Sequence, residues 1–350
     1  MNSSREDRHA VAAGPTAMAA LLGDPLPPLT WSLSPSQLEQ FECDGAVTVE
    51  SAFTAAELHA AEQGWDRLAT AQRTAGATGG RQGYREMGVR AWPELAYDAA
   101  TIAALQHPWF EAVAKQCLRT DHAVFFQQSN NLVLPSPLPH PDDQWTSGAH
   151  CDTQLTTSDW AATPRRTVLC FWLWLSDVPS PERGAMRYVP GSHLRTAAHW
   201  EAVTSSSSQS GRQSLPRIYG TDIRARPGRD HERTTFPANS DVGSWLRQQE
   251  PVPLLARRGQ CTVMTTALLH SAWLNQDSEP RKGMHFAWTA AGVSVGLPAG
   301  QDEDGRIIYP GLRERLRPER RHIIPEVYPH FVSEGPVDET TTAAVAGARL

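Results

Sequence analysis

The sequence predicts an α+β protein whose core is a β-sandwich or barrel. Helix signals cluster before about residue 120 and strand patterns follow from residue 122. Residues 168–175 are apolar at every position, which suits a strand buried on both faces. That run is also the longest apolar stretch, too short for a membrane-spanning helix. With 350 residues, 40% apolar and 20% charged, the chain can bury the core of one elaborated domain, and wholesale disorder is excluded. A net charge of −6 argues against a nucleic-acid partner.

Each element has a local cause. Residues 1–30 are rich in Ala, Gly, Pro and Ser and read as a flexible N-terminal tail. Ser34-Pro35 starts a helix, since serine caps and proline suits the first turn, and Gly45 ends it. A short strand covers 46–49. Thr54 and Glu57 form a capping box for a second helix to about residue 69. Residues 70–90 read as loop and 97–118 as helix, broken at His107-Pro108. Strands are expected at 123–127, 131–134, 186–189, 260–265 and 283–289. Residues 201–250, polar and Arg-rich, read as an insertion or lid. Charged loops follow residue 300, and 336–350 read as a flexible tail. Residues 31–335 are thus expected to form a single domain.

Five scattered cysteines without a Cys-x-x-Cys pair read as reduced thiols. The N-terminus lacks the order of a secretory signal, so the expected location is cytoplasmic.

Chemistry is sought among the 13 histidines. Two His-x-Asp triplets occur, His140-Pro141-Asp142 and His150-Cys151-Asp152. On a strand, residues two apart share a side, so imidazole and carboxylate can grip one metal ion. The first triplet sits among prolines, where no regular strand continues, which favours His150 and Asp152. A third ligand completing a two-histidine, one-carboxylate face is His270, after an apolar strand; such a face leaves positions open, as in non-haem Fe(II) oxygenases. Eleven residues later, after a polar turn, comes Arg281, which a hairpin would return to a neighbouring strand beside the metal, where it can hold a carboxylate bidentately. Trp145, Trp160 and Trp273 lie near these motifs and could wall an apolar substrate pocket, whereas Trp172 and Trp174 read as core packing.

The ordered set resembles the phytanoyl-CoA dioxygenase family of Fe(II)- and 2-oxoglutarate-dependent oxygenases, from about Leu33 to Thr289. It comprises Leu38-Glu39-Gln40-Phe41 with Asp44-Gly45, the His150–Asp152 triplet, Phe171 to Val178, Gly184-Ala185-Met186-Arg187 through Pro190-Gly191-Ser192-His193, and His270 with Arg281. The resemblance implies a double-stranded β-helix (jelly-roll, cupin-like) core with helices on one side. It implies iron ligation by His150, Asp152 and His270, and pairing of Arg281 with the distal carboxylate of 2-oxoglutarate. Gln127 and Asn131 match positions of polar cosubstrate contacts, with Gln128 and Asn130 competing. Ala272 departs from the small hydroxyl residue often found there. His193 reads as structural. Asp152 favours oxygenation over halogenation, since related halogenases lack that carboxylate.

The expected function is therefore an Fe(II)/2-oxoglutarate-dependent dioxygenase. It would use O2 to hydroxylate an unactivated C–H bond of a small organic or natural-product metabolite, with release of succinate and CO2. The alternatives are a cupin-like metal-dependent isomerase or hydrolase, which would not need Arg281, and a non-catalytic binding protein on the same fold.

Overall fold

Ser34 and Gly45 bracket the first helix of the computed structural model. The structure describes residues 31–74, 84–88, 98–135, 151–152, 155–206, 244–245, 248–271, 273–293 and 311–324, with backbone alone for 71–74, 84–88, 127–132 and 203–206. The tails expected at 1–30 and 336–350, and the insertion from 207 to 243, lie outside the described residues.

Helix α1 (Pro35–Asp44) begins with a capping box. Ser34 Oγ accepts from the Gln37 backbone N–H, and Gln37 Oε1 accepts from the Ser34 N–H. It ends where Gly45, at φ 82°, donates to the Phe41 carbonyl. Strand β1 (Ala46–Glu50) follows, then α2 (Ala55–Thr74), opened by reciprocal bonds between Thr54 and Glu57. Strand β2 (Tyr84–Gly88) lies where a loop was expected: long-range pairing with the next strand overrides a Gly- and Arg-rich sequence. Asp98 caps α3 (Ala99–Leu105), and His107 Nδ1 accepts from Trp109 to cap α4 (Pro108–Leu118). The break expected at His107-Pro108 is therefore a genuine start of helix.

Strand β3 (Ala123–Val133) is one continuous strand rather than two, with a register shift between Phe125 and Gln127. The bulge lies at Phe126, and residues 128–130, between the two expected strands, pair with β9 in unbroken register. After α5 (Thr157–Ala161) come β4 (Val168–Trp174), β5 (Arg187–Tyr188) and α6 (Ser192–Ser206). Residues 201–206 thus continue a helix instead of opening the insertion. Strands β6 (Val252–Pro253), β7 (Gln260–Thr265), β8 (His270–Ser271) and β9 (Arg281–Ala290) complete the β structure. The expected C-terminal loops contain a short helix α7 (Leu312–Arg315) and a 3-10 turn (Pro318–Ile323). The turn is tied to α4 by buried charge: Arg320 and His322 both pair with Glu111, which also binds Lys115. Burial alone would raise the Glu111 pKa, but these three partners outweigh it and hold the carboxyl below its ordinary range.

The strands form two antiparallel sheets. One has six strands in the order β1-β7-β4-β9-β3-β2, the other three in the order β6-β5-β8. Alternate residues of β4 face different neighbours. Leu169, Phe171 and Leu173 join the cluster under the helices, where Phe171 meets Phe110 at 5.1 Å and Phe110 meets Phe286 at 4.9 Å between ring centroids. Cys170, Trp172 and Trp174 join a second cluster with Met186, Tyr188 and Leu254 around the smaller sheet. With both faces covered, all seven residues of β4 are buried, as the unbroken apolar run predicts.

Candidate metal and cosubstrate site

The space between the two sheets is lined by the inward residues of β4, β9 and the small sheet. Residues directly opposite in a ladder share a face. Trp172 pairs with His285 and Trp174 with Gly283, so Arg281, Gly283, His285 and Ala287 look inward from β9. Tyr188, in the inner cluster, pairs with His270 and brings that histidine to the same space.

His270 and Asp152 meet there. Asp152 is fixed by its backbone N–H, which donates to the Thr266 carbonyl at 2.8 Å. His270 Nδ1 lies 2.9 Å from the Leu268 carbonyl. A carbonyl only accepts, so Nδ1 carries the proton and Nε2 presents a lone pair. Asp152 Oδ2 stands 3.7 Å from that Nε2. Two acceptors held face to face, one of them oriented from behind by a carbonyl, suit a divalent cation between them. Among the described residues no group of three His, Cys, Asp or Glu side chains is assembled for a metal. The expected third ligand, His150, lies outside them, as do His140, Asp142 and Trp145.

Arg281 is buried at the start of β9. Its Nη1 donates to the Gly184 carbonyl at 2.6 Å, and its guanidinium lies 5.5 Å from the Trp174 ring. It arrives differently from expectation. The chain between His270 and Arg281 is not a hairpin within one sheet; it crosses from the small sheet to the large one. The turn is held by Asn275, whose Nδ2 donates to the carbonyls of Val133 and Glu279. Crossing places histidine and arginine on facing walls of one space.

On β3 only register is described for the polar candidates. Gln127 lies opposite Ala287 and Asn131 opposite Gly283, on the inward face, while Gln128 and Asn130 lie opposite Phe286 and Met284 on the other. Trp160 packs against Phe41 and His193 and lies under the Arg165 guanidinium, in the helix-side cluster rather than between the sheets. Trp273 is capped by Arg187 at 3.4 Å. His193 is fully buried, and burial pushes its pKa down to about 4.

Two inward residues were not singled out by the sequence. Trp172, read there as packing, has a buried indole N–H without a hydrogen-bond partner among the described residues. His285, 4.8 Å from the Trp172 ring, is pushed down to about 4 by burial, with Asp152 opposing and His270 reinforcing the shift. Counting by twos along the strand from Arg281 would have found His285.

The sequence matches the phytanoyl-CoA dioxygenase (PhyH) family over residues 41–283. No curated protein matches it. Among solved structures it is similar to SnoK, a non-haem α-ketoglutarate-dependent carbocyclase from nogalamycin biosynthesis, with TM-score 0.50, 20% identity, and coverage of 81% of this chain and 92% of that one. It is also similar to the epimerase SnoN of nogalamycin biosynthesis (TM-score 0.43, 20% identity, 73% and 82% covered). HygX from Streptomyces hygroscopicus, solved with nickel and 2-oxoglutarate bound, gives 0.42, 15%, 79% and 94%. The SnoK likeness bears on fold alone: helices packed on antiparallel sheets, consistent with a cupin-like architecture. Because the family match spans well over half of its residues, the chain belongs to the phytanoyl-CoA dioxygenase family of Fe(II)- and 2-oxoglutarate-dependent oxygenases.

Proposed function

We propose that this chain hydroxylates an unactivated C–H bond of a small organic or natural-product metabolite, on a double-stranded β-helix core. The observation that carries the reading is the approach of Asp152 Oδ2 to His270 Nε2 at 3.7 Å, with Nδ1 of the same ring committed to Leu268. His150, Asp152 and His270 would hold Fe(II). When bound, iron with 2-oxoglutarate and O2 supplies the oxidising power, with succinate and CO2 released.

The protein's own residues supply position and dryness. The Arg281 guanidinium takes the distal carboxylate, a planar donor pair suited to a planar acceptor pair. Its burial against Trp174 and the Gly184 carbonyl removes water that would weaken that pairing. The Trp172 indole N–H is buried in the inner cluster without a hydrogen-bond partner among the described residues, a donor that a ligand there could use. Gln127 and Asn131 stand at inward register positions of β3, with Ser129 between them. The rest of the expected insertion, from residue 207 onward, would close over the substrate.

The test incubates the full chain with Fe(II), ascorbate and carboxyl-labelled 2-oxoglutarate and counts released CO2. His150→Ala, Asp152→Ala and His270→Ala should each abolish release. Decarboxylation that survives all three substitutions defeats the ligand assignment. Arg281→Ala should mainly raise the 2-oxoglutarate requirement.

A further inference from the structure

Two loops meet at Arg281 and fix it from both ends. Its guanidinium donates to the carbonyl of Gly184, which closes the loop 180–184, and its backbone follows directly from the turn 273–280. The loops are joined at three depths. Innermost, the fully buried Asn275 donates through Nδ2 to the carbonyls of Val133 at 3.0 Å and Glu279 at 2.8 Å, and accepts through Oδ1 from the Asp277 N–H. A Cβ on Gly184 would come within 3.0 Å of the Asn275 Cβ, so the carbonyl that Arg281 uses is pressed against the turn that carries Arg281. Next, Asn275 bridges Arg183 in antiparallel register, and the Glu182 carbonyl accepts from the Gln276 and Asp277 N–H groups at 2.6 and 3.3 Å. Outermost, Arg183 Nη1 pairs with Asp277 Oδ1 at 2.8 Å. That arginine is 15% exposed and the carboxylate 34%, so water screens the pair less than it would a fully exposed one. Asp277 Oδ1 also accepts from the Glu279 N–H at 3.2 Å, which orients the carboxylate.

We propose that Arg183 and Asp277 form a positioning clasp, holding the Gly184 carbonyl and the Arg281 guanidinium in the alignment that a bidentate carboxylate contact needs. A fork of two N–H groups binds a carboxylate well only when both bonds are straight, so a small spreading of the loops costs affinity. The inference rests on the 2-oxoglutarate reading above and goes beyond it. Cosubstrate affinity is set in part by an ion pair that lies one residue from Gly184 and four from Arg281, and that acts through Arg281 alone.

Charge reversal separates a clasp from a simple field. 2-Oxoglutarate is a dianion, so by field alone Arg183→Asp would weaken its binding and Asp277→Arg would strengthen it. The clasp predicts that both weaken it. The experiment measures labelled 2-oxoglutarate by anaerobic equilibrium dialysis against the Fe(II)-loaded full chain, with kcat and KM from uncoupled decarboxylation and Fe(II) affinity measured separately. Each reversal should raise Kd and KM about fivefold, with kcat at saturation and Fe(II) affinity unchanged. The swapped pair, Arg183→Asp with Asp277→Arg, should recover most of the loss. In an Arg281→Ala background neither reversal should weaken binding further. Arg258→Asp, which reverses a pair with Glu62 elsewhere by the same charge, should leave Kd unchanged. The proposal is overturned if Asp277→Arg binds 2-oxoglutarate as tightly as the parent or more tightly, if the swapped pair recovers nothing, if the reversals act equally without Arg281, or if Fe(II) affinity falls with them. Should a reversal fail to fold, Arg183→Gln and Asp277→Asn keep the shapes without the charges. Both should then weaken binding by about twofold, and no weakening by Asp277→Asn overturns the clasp. A parent protein that binds Fe(II) but not 2-oxoglutarate sinks the oxygenase reading itself, and this proposal with it.

Discussion

The two faces of the six-stranded sheet are made by the same strands and differ in almost everything else. Toward the helices, β4 and β9 present Leu169, Phe171, Leu173, Met284, Phe286 and Trp288, packed with Phe110 and Trp109. Toward the small sheet they present Cys170, Trp172, Trp174, Arg281, Gly283 and His285. One face is dry and close-packed; the other holds a guanidinium, an imidazole and a glycine. Pleat alternation alone separates stability from chemistry, residue by residue.

The largest effects should break that separation into its halves. Phe171 is fully buried among aromatic rings, so Phe171→Ala should cost roughly 3–5 kcal/mol in urea unfolding. Metal binding, measured well below the variant's Tm, should survive. Asp152 has a side chain about one-third exposed, and alanine keeps its backbone hydrogen bond to the Thr266 carbonyl. Asp152→Ala should therefore shift stability by less than about 1 kcal/mol while abolishing metal-dependent decarboxylation. If Phe171→Ala loses metal with no loss of stability, the two faces are not separable in this way.

The helix-side face was more legible than the inner one. The capping residues Ser34 and Thr54, the helix-opening Pro108 and the run at 168–175 act locally and announce themselves in sequence. Strand β2 and the crossing of the chain before Arg281 depend on partners far along the chain, which no local pattern carries. The candidate site was legible in Asp152, His270 and Arg281 because their residue types narrow the chemistry. His285 escaped because a histidine inside an apolar strand looks like core until its neighbours across the sheet are known. Trp160 shows the converse: near the motif in sequence, it packs under the helices with Arg165 and Phe41.

A smaller effect should sharpen the comparison through pH. His193 sits where α6 meets Gly45, fully buried, with burial holding its pKa near 4 against an opposing contact to the Glu42 backbone, and Arg165 adding slightly to the shift. A histidine depressed in the folded state binds its proton more readily when unfolded. Its contribution is therefore intact above about pH 6.5 and is lost as pH falls toward 4. His193→Phe should make the fall of the urea midpoint shallower across that window by about one proton, roughly 1.4 kcal/mol per pH unit. His107, also held near 4 by burial, keeps part of the slope in the variant. An unchanged slope would mean that His193 is protonated within the fold.

The smallest structural change tests the inner face most directly. A Cβ on Gly283 would meet the Leu173 carbonyl at 3.6 Å and the Trp174 ring at 3.7 Å, ordinary contacts, so the methyl fits. The backbone there also keeps its role, since the Gly283 carbonyl accepts from Trp65 Nε1 whatever the side chain. Replacing a strand glycine narrows the unfolded ensemble, so Gly283→Ala should leave Tm unchanged or raise stability by about 0.4–1 kcal/mol. The same methyl would stand against the Trp174 ring on the inward face, two residues from Arg281, and 2-oxoglutarate should bind a few-fold more weakly. Stability gained together with affinity lost is the signature of a face built around a ligand rather than around packing. Affinity unchanged, with the methyl accommodated, would place the cosubstrate away from Gly283.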